Sequence, residues 1–135
     1  MGYYDDAQEW HGTAIDLMSC GRHRASVYMS CLAVECYLKA KVEANDPNDV
    51  KLGEHDSIYL YRVLKTRYDS KTDLSQDIAL CRKYHNEARY SNTVTLDVYN
   101  IDFASRFVGI VDRVKQFVDE ECMATLADLE NKYKK

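Results

Sequence analysis

Apolar residues recur along most of this chain every three or four positions, the spacing of helices that bury one side. The clearest instance runs from Arg22 to Val42. There Tyr28, Cys31, Leu38 and Val42 fall on one stripe at about 100° per residue, with Val27, Leu32 and Val34 beside it. Glu35 lies inside that stripe, and Lys39 follows four residues on, in the Glu-then-Lys order that lets the two meet over one turn. The spacing predicts a core helix carrying an ion pair. A carboxylate facing a core is costly unless it is paired and hydrogen-bonded. Two readings of Glu35 are open. Lys39 and a tyrosine hydroxyl from another helix satisfy it, and it only specifies packing; or it marks a polar pocket between helices, where bundle proteins place their sites.

The same period organises the rest of the chain. Tyr3, Tyr4, Ala7, Trp10, Ala14, Leu17 and Met18 predict a first helix over residues 3–20, with Asp5 and Asp6 at its dipole-positive start. Cys20 and Gly21 break it, and the second helix runs from about Arg22 to Ala44, before a loop that holds Pro47, the chain's one proline. From His55, the residues Ile58, Leu60, Tyr61, Leu64 and Tyr68 mark a shorter third helix. After a turn at Asp69 and Ser70, either Ser70 or Thr72 is the expected cap of a fourth helix. On it Leu74, Ile78, Cys81, His85 and Ala88 share a stripe, so His85 should face inward. The stretch RYSNTVTLDVYN reads as a loop or short extended piece. A last long helix begins near Asp102, with Phe103, Phe107, Ile110, Val111, Val114, Phe117 and Val118 on a wide apolar face, and the tail LENKYKK continues or frays it. No internal repeat, low-complexity segment or convincing strand appears. The pattern predicts one all-α domain over residues 1–135, an antiparallel up-and-down four-helix bundle with one additional short helix.

A chain of 135 residues, 46% hydrophobic and 30% charged, is long enough to bury a real core and has ordinary soluble composition. Its longest apolar run is far short of a membrane span, and MGYYDDAQEW is acidic and aromatic where a signal peptide would be basic and then greasy. No membrane association and a cytoplasmic location are expected. The five cysteines are odd in number, scattered and without a C-x-x-C pair. Cys31 and Cys36 lie about 140° apart on a helix, which disfavours joint metal binding, so reduced and mostly buried thiols are expected. A net charge of −4 and a pI near 5.5 give no whole-chain attraction to nucleic acid: DNA is not an expected partner, and RNA would need a local basic patch. Eleven tyrosines bring hydroxyls that want partners. Together with the phenylalanine-rich last helix, they suggest more aromatic surface than one small bundle hides, hence a homodimer.

The chain has no phosphate-binding G-x-x-x-x-G-K-[ST] loop, no G-x-G-x-x-G, no G-x-S-x-G and no H-E-x-x-H. A di-iron bundle would need Glu-x-x-His pairs, and none of His11, His23, His55 or His85 has a glutamate three residues before it. No metal or other cofactor is therefore expected. The suggestive polar stretch is RKYHNEARY, residues 82–90. Arg82, His85 and Arg89 are spaced by three and four, so a helix sets two guanidinium groups on either side of an imidazole. Such a trio suits phosphate chemistry: the arginines hold the phosphate while His85 serves as general base or acid. The competing reading is an inward histidine bonded to backbone or tyrosine, flanked by arginines paired to surface acids.

The order of parts resembles the HEPN domain, the small α-helical "higher eukaryotes and prokaryotes nucleotide-binding" domain, over nearly the whole chain. The matching pieces are Ala33, Val34, Glu35, Leu38, Lys39 and Ala40 of an "A…VE…LKA" helix, His55 and Leu60 of "H-x-x-x-x-L", and the pair Arg89 and Tyr90. The resemblance implies a helical bundle, commonly a homodimer, often paired with a nucleotidyltransferase-like protein. It also implies, for some members, a metal-independent RNase whose R-x4-6-H arginine and histidine meet their symmetry mates across the dimer. This chain departs from that pattern: two residues separate Arg82 from His85, no other arginine precedes a histidine at the required distance, and Ser91 stands where proline is usual.

Three functions follow as expectations. The first is a non-catalytic HEPN module binding a nucleotide, polyphosphate or protein partner through Arg82, His85, Asn86, Arg89 and Tyr90, with Glu35, Lys39 and His55 as a structural polar core. The second is a metal-independent RNase toxin of a toxin–antitoxin pair, with His85 and Arg82 catalytic. The third is a purely structural dimerising bundle.

Overall fold

A computed structural model of the chain describes residues 2–88 and 98–122. Among these the regular elements are helical: α1 (Tyr3–Ser19), α2 (His23–Asn45), a 3-10 turn (Val50–Gly53), α3 (Ser57–Tyr68), α4 (Ser75–Glu87) and α5 (Ile101–Gln116), which runs into a π-helical turn (Phe117–Glu121). Of the expected loop RYSNTVTLDVYN, residues 89–97 lie outside the described residues, as does the LENKYKK tail.

The ends of the helices are set by local chemistry. Gly21 takes φ 80°, a left-handed value that costs glycine little, and the amides of Gly21 and Arg22 bond back to Met18 and Leu17 to close α1. Asp56 caps α3 by accepting from the Tyr59 amide at 3.1 Å, and Asn100 caps α5 by accepting from the Phe103 amide at 2.9 Å. The start of α4 differs from expectation. Neither Ser70 nor Thr72 caps it; both hydroxyls donate instead to Glu121 at 2.7 Å, across the bundle. The turn before α4 is held by Tyr61, whose hydroxyl donates to the Thr72 carbonyl and accepts from the Leu74 amide. A long-range partner has outcompeted the local cap.

Contacts between helix ends fix the directions. Ser26, early in α2, donates to the Ala14 carbonyl late in α1, and Arg24 donates to the carbonyl of Ala88 just past α4. Tyr4 at the start of α1 donates to Asp119 beyond the end of α5. Thus α1, α2, α4 and α5 run up and down as the four-helix bundle. The additional short helix is α3: the chain doubles back after Asn45, so α3 runs alongside the second half of α2 and its last residue, Tyr68, donates to Asn45.

Helix α2 packs against each of the other four helices, which is why its sequence is the least amphipathic of the long stretches. Its Val27, Val34, Tyr37 and Leu38 are fully buried, together with Leu60 and Leu64 of α3, Ile78 of α4, and Phe107, Ile110 and Phe117. Side chains of this kind stabilise by about 1.5–3 kcal/mol each when buried. Phe107 and Phe117 are thus spent inside the bundle rather than on a second copy. Tyr37 breaks the expectation that every tyrosine finds a partner: its buried hydroxyl has none among the described residues, and burial pushes it up to about 12. The cysteines follow the expectation of free thiols, with Cys31, Cys81 and Cys122 buried and Cys20 exposed. Among the described residues no helix is long and apolar enough to cross a membrane.

Candidate functional site

Glu35 is 4% exposed and Lys39 6%, so the stripe does bury a charged pair, with Lys39 Nζ 3.4 Å from Glu35 Oε2. The other partner is not a tyrosine. His55 Nδ1 lies 2.9 Å from both carboxylate oxygens. A carboxylate can only accept, so His55 Nδ1 carries the proton and donates it. The geometry depends on where the third helix begins. His55 is not its first residue but precedes the Asp56 cap, so its ring is free of helical constraint and folds back over α2. The side chain remains 63% exposed and forms the outer wall of the cluster.

From α4, His85 faces inward as its stripe predicts and is 9% exposed. Its Nδ1 is 3.9 Å from Glu35 Oε1, its ring centroid is 5.0 Å from that of His55, and the Tyr28 ring meets it edge-on at 5.6 Å. Lys39 Nζ also sits 5.6 Å from the centre of the Tyr3 ring, a second attraction for its charge. One carboxylate, one ammonium and two imidazoles therefore cluster between α2, α4 and the segment before α3. The neighbouring Cys31 thiol is pushed well above its usual range, first by its hydrogen bond with Cys81, then by burial, with the Cys81 and Glu35 charges adding to it.

Of the expected trio on α4, Arg82 and His85 face different neighbours. His85 turns to Glu35, whereas Arg82 is exposed and reaches Asp56, with Nη1 3.8 Å from Oδ1. The reason is angular: His85 lies in the apolar stripe and Arg82 one row outside it, so tertiary packing draws one in and leaves the other at the rim. Asn86 is exposed. Arg89 and Tyr90 lie outside the described residues.

A second polar place emerges at the start of α2. The helix begins without a side-chain cap and without an acidic residue in its first turn, while Arg22, His23 and Arg24 stand at its dipole-positive end. Basic residues there oppose the dipole and one another. An open hollow of about 330 Å³ is lined by Gly21, Arg22, His23, Arg24, Ala25 and Tyr99. Arg24 Nη1 donates to the Ala88 carbonyl at 2.7 Å, which places this hollow beside the end of α4, immediately before Arg89. Its signal was present in the sequence as three basic residues following Gly21 with no acid to offset them.

No curated protein and no solved structure matches this chain. The HEPN domain family model matches residues 2–121, a span that takes in every described helix, the Glu35 cluster and the basic start of α2, and the chain belongs to the HEPN domain family.

Proposed function

We propose that this chain is a non-catalytic HEPN module that binds a phosphate-bearing ligand, a nucleotide or polyphosphate, where the start of α2 meets the end of α4. The observation that carries this reading is the uncapped N-terminus of α2, surrounded by Arg22, His23 and Arg24 and opening on a hollow. An anion there would accept from unsatisfied backbone amides, complement the dipole and relieve the repulsion among the basic side chains. Arg82 and Asn86 are exposed on α4, and Arg89 and Tyr90 follow Ala88 in sequence. His85 has a packing role in this reading, supported by its ring facing Glu35, His55 and Tyr28 while Arg82 reaches Asp56. The family resemblance adds a homodimer and a nucleotidyltransferase-like partner to the proposal.

The test is calorimetric titration of the purified chain with ATP and with pyrophosphate at low and high salt. Binding should weaken as salt rises, because arginine contacts to phosphate are screened and exchanged for counterions. Arg22→Glu should abolish it without unfolding the protein, since Arg22 is exposed. Binding that survives Arg22→Glu, or no binding at low salt, would refute the assignment.

A further inference from the structure

We propose that Glu35, His55 and His85 form a binding site for a zinc-class divalent cation, a site separate from the basic hollow at the start of α2. Three elements supply the donors: Glu35 from α2, His55 from the segment just before α3, and His85 from α4. Their ligating atoms all lie within 4.8 Å of one another. Tetrahedral zinc with bonds of about 2.0–2.1 Å places neighbouring donors about 3.3 Å apart. The separations of 2.9 Å from His55 Nδ1 to Glu35 and 3.9 Å from His85 Nδ1 to Glu35 Oε1 bracket that value. Two imidazoles and one carboxylate are donors that zinc accepts readily, whereas calcium and magnesium favour oxygen alone.

The surroundings bear on how such a site would work. Lys39 Nζ lies 3.4 Å from Oε2, while Oε1 faces His85. Tyr28 holds the plane of the His85 ring from its edge. His55 is the adjustable ligand, because its side chain is mostly exposed and belongs to no helix, so a cation would reach the site from its side. To ligate, His55 must release the Nδ1 hydrogen that now bridges the two carboxylate oxygens and carry its proton on Nε2 instead, so that the Nδ1 lone pair faces the cation. Lys39 also opposes the cation by its charge, so binding should be weaker than in a site built only of neutral and anionic groups.

The experiment uses the full chain after treatment with a chelator. Cobalt(II) is titrated in, visible absorption reports low-symmetry nitrogen and oxygen ligation, and zinc is added to displace it. One cation per chain is expected. His55→Ala, at an exposed position that should leave the fold intact, should weaken binding by about a hundredfold or more, beyond what the loss of an outer partner costs. His85→Gly should do the same where circular dichroism shows the helices retained. Lys39→Met should bind more tightly, an outcome that a purely structural cluster would not produce. No stoichiometric binding, binding unchanged by His55→Ala, or weaker binding in Lys39→Met would overturn the proposal. Arg22→Glu should leave cobalt binding unchanged, so failure of the phosphate assignment and failure of this one are read separately.

Discussion

Replacing Glu35 by alanine removes the carboxylate that Lys39, His55 and His85 all face. Breaking a buried ion pair from one side costs about 3–5 kcal/mol, because the remaining charge stays desolvated without a partner. Two features put this case at the lower end. The Lys39 ammonium keeps the face of Tyr3 at 5.6 Å and its flexible stem can slide toward water. His55 is mostly exposed, so its released N–H is rehydrated at little cost. The void left by the shortened side chain adds to the loss. The expected destabilisation is about 3 kcal/mol, read by urea unfolding of chelator-treated protein. Glu35→Gln, which keeps the volume and an acceptor, should cost less. Lys39→Met added to Glu35→Ala should recover part of the loss, since no charge is then left buried, and a double-mutant cycle measures that coupling. A change below about 0.5 kcal/mol, the scale of ordinary surface substitutions, would refute the burial argument.

Thiol labelling of the native protein near pH 8 should modify the exposed Cys20 first, while Cys36, pushed up to about 11 chiefly by burial, and Cys122, pushed up to about 12 by burial, stay protonated and slow. Labelling of Cys122 as fast as Cys20 would contradict its placement in the core. The same groups set an alkaline limit. Cys36, Cys122 and Tyr37 hold their protons more tightly folded than unfolded, so their contribution to stability is complete below about pH 9 and is lost as pH rises toward 12. Thermal melts across that interval should show a falling midpoint; a rising one would reverse the assigned signs.

The residues show how far local pattern reaches. The Glu35–Lys39 pair was legible because both partners lie on one helix at a spacing that makes them neighbours, and the inward turn of His85 because it shares a stripe with Ile78 and Cys81. The contact of His55 with Glu35 was not, since it joins positions twenty residues apart through a segment with no periodicity of its own. Local capping propensity pointed to Ser70 or Thr72, and Glu121 drew both away from a distance of about fifty residues. Three-residue spacing sets Arg82 and His85 on adjacent rows of a helix, which makes them a pair in the sequence. Whether adjacent rows converge depends on which of them packs into the core, and that is decided by α2 and by the segment before α3.

The most direct test of the central claim, that His85 packs a phosphate-binding module and does not cut, is to incubate the purified protein with labelled RNA in the presence of a chelator. Wild type, His85→Ala and Arg82→Ala are compared on a denaturing gel. The account predicts intact RNA in all three, because the histidine is held among Glu35, His55 and Tyr28 while Arg82 sits on Asp56. A reacting group misplaced by about 1 Å already costs on the order of a hundredfold in rate. Robust chelator-resistant cleavage by the wild type that His85→Ala abolishes would contradict it and make His85 a catalytic residue.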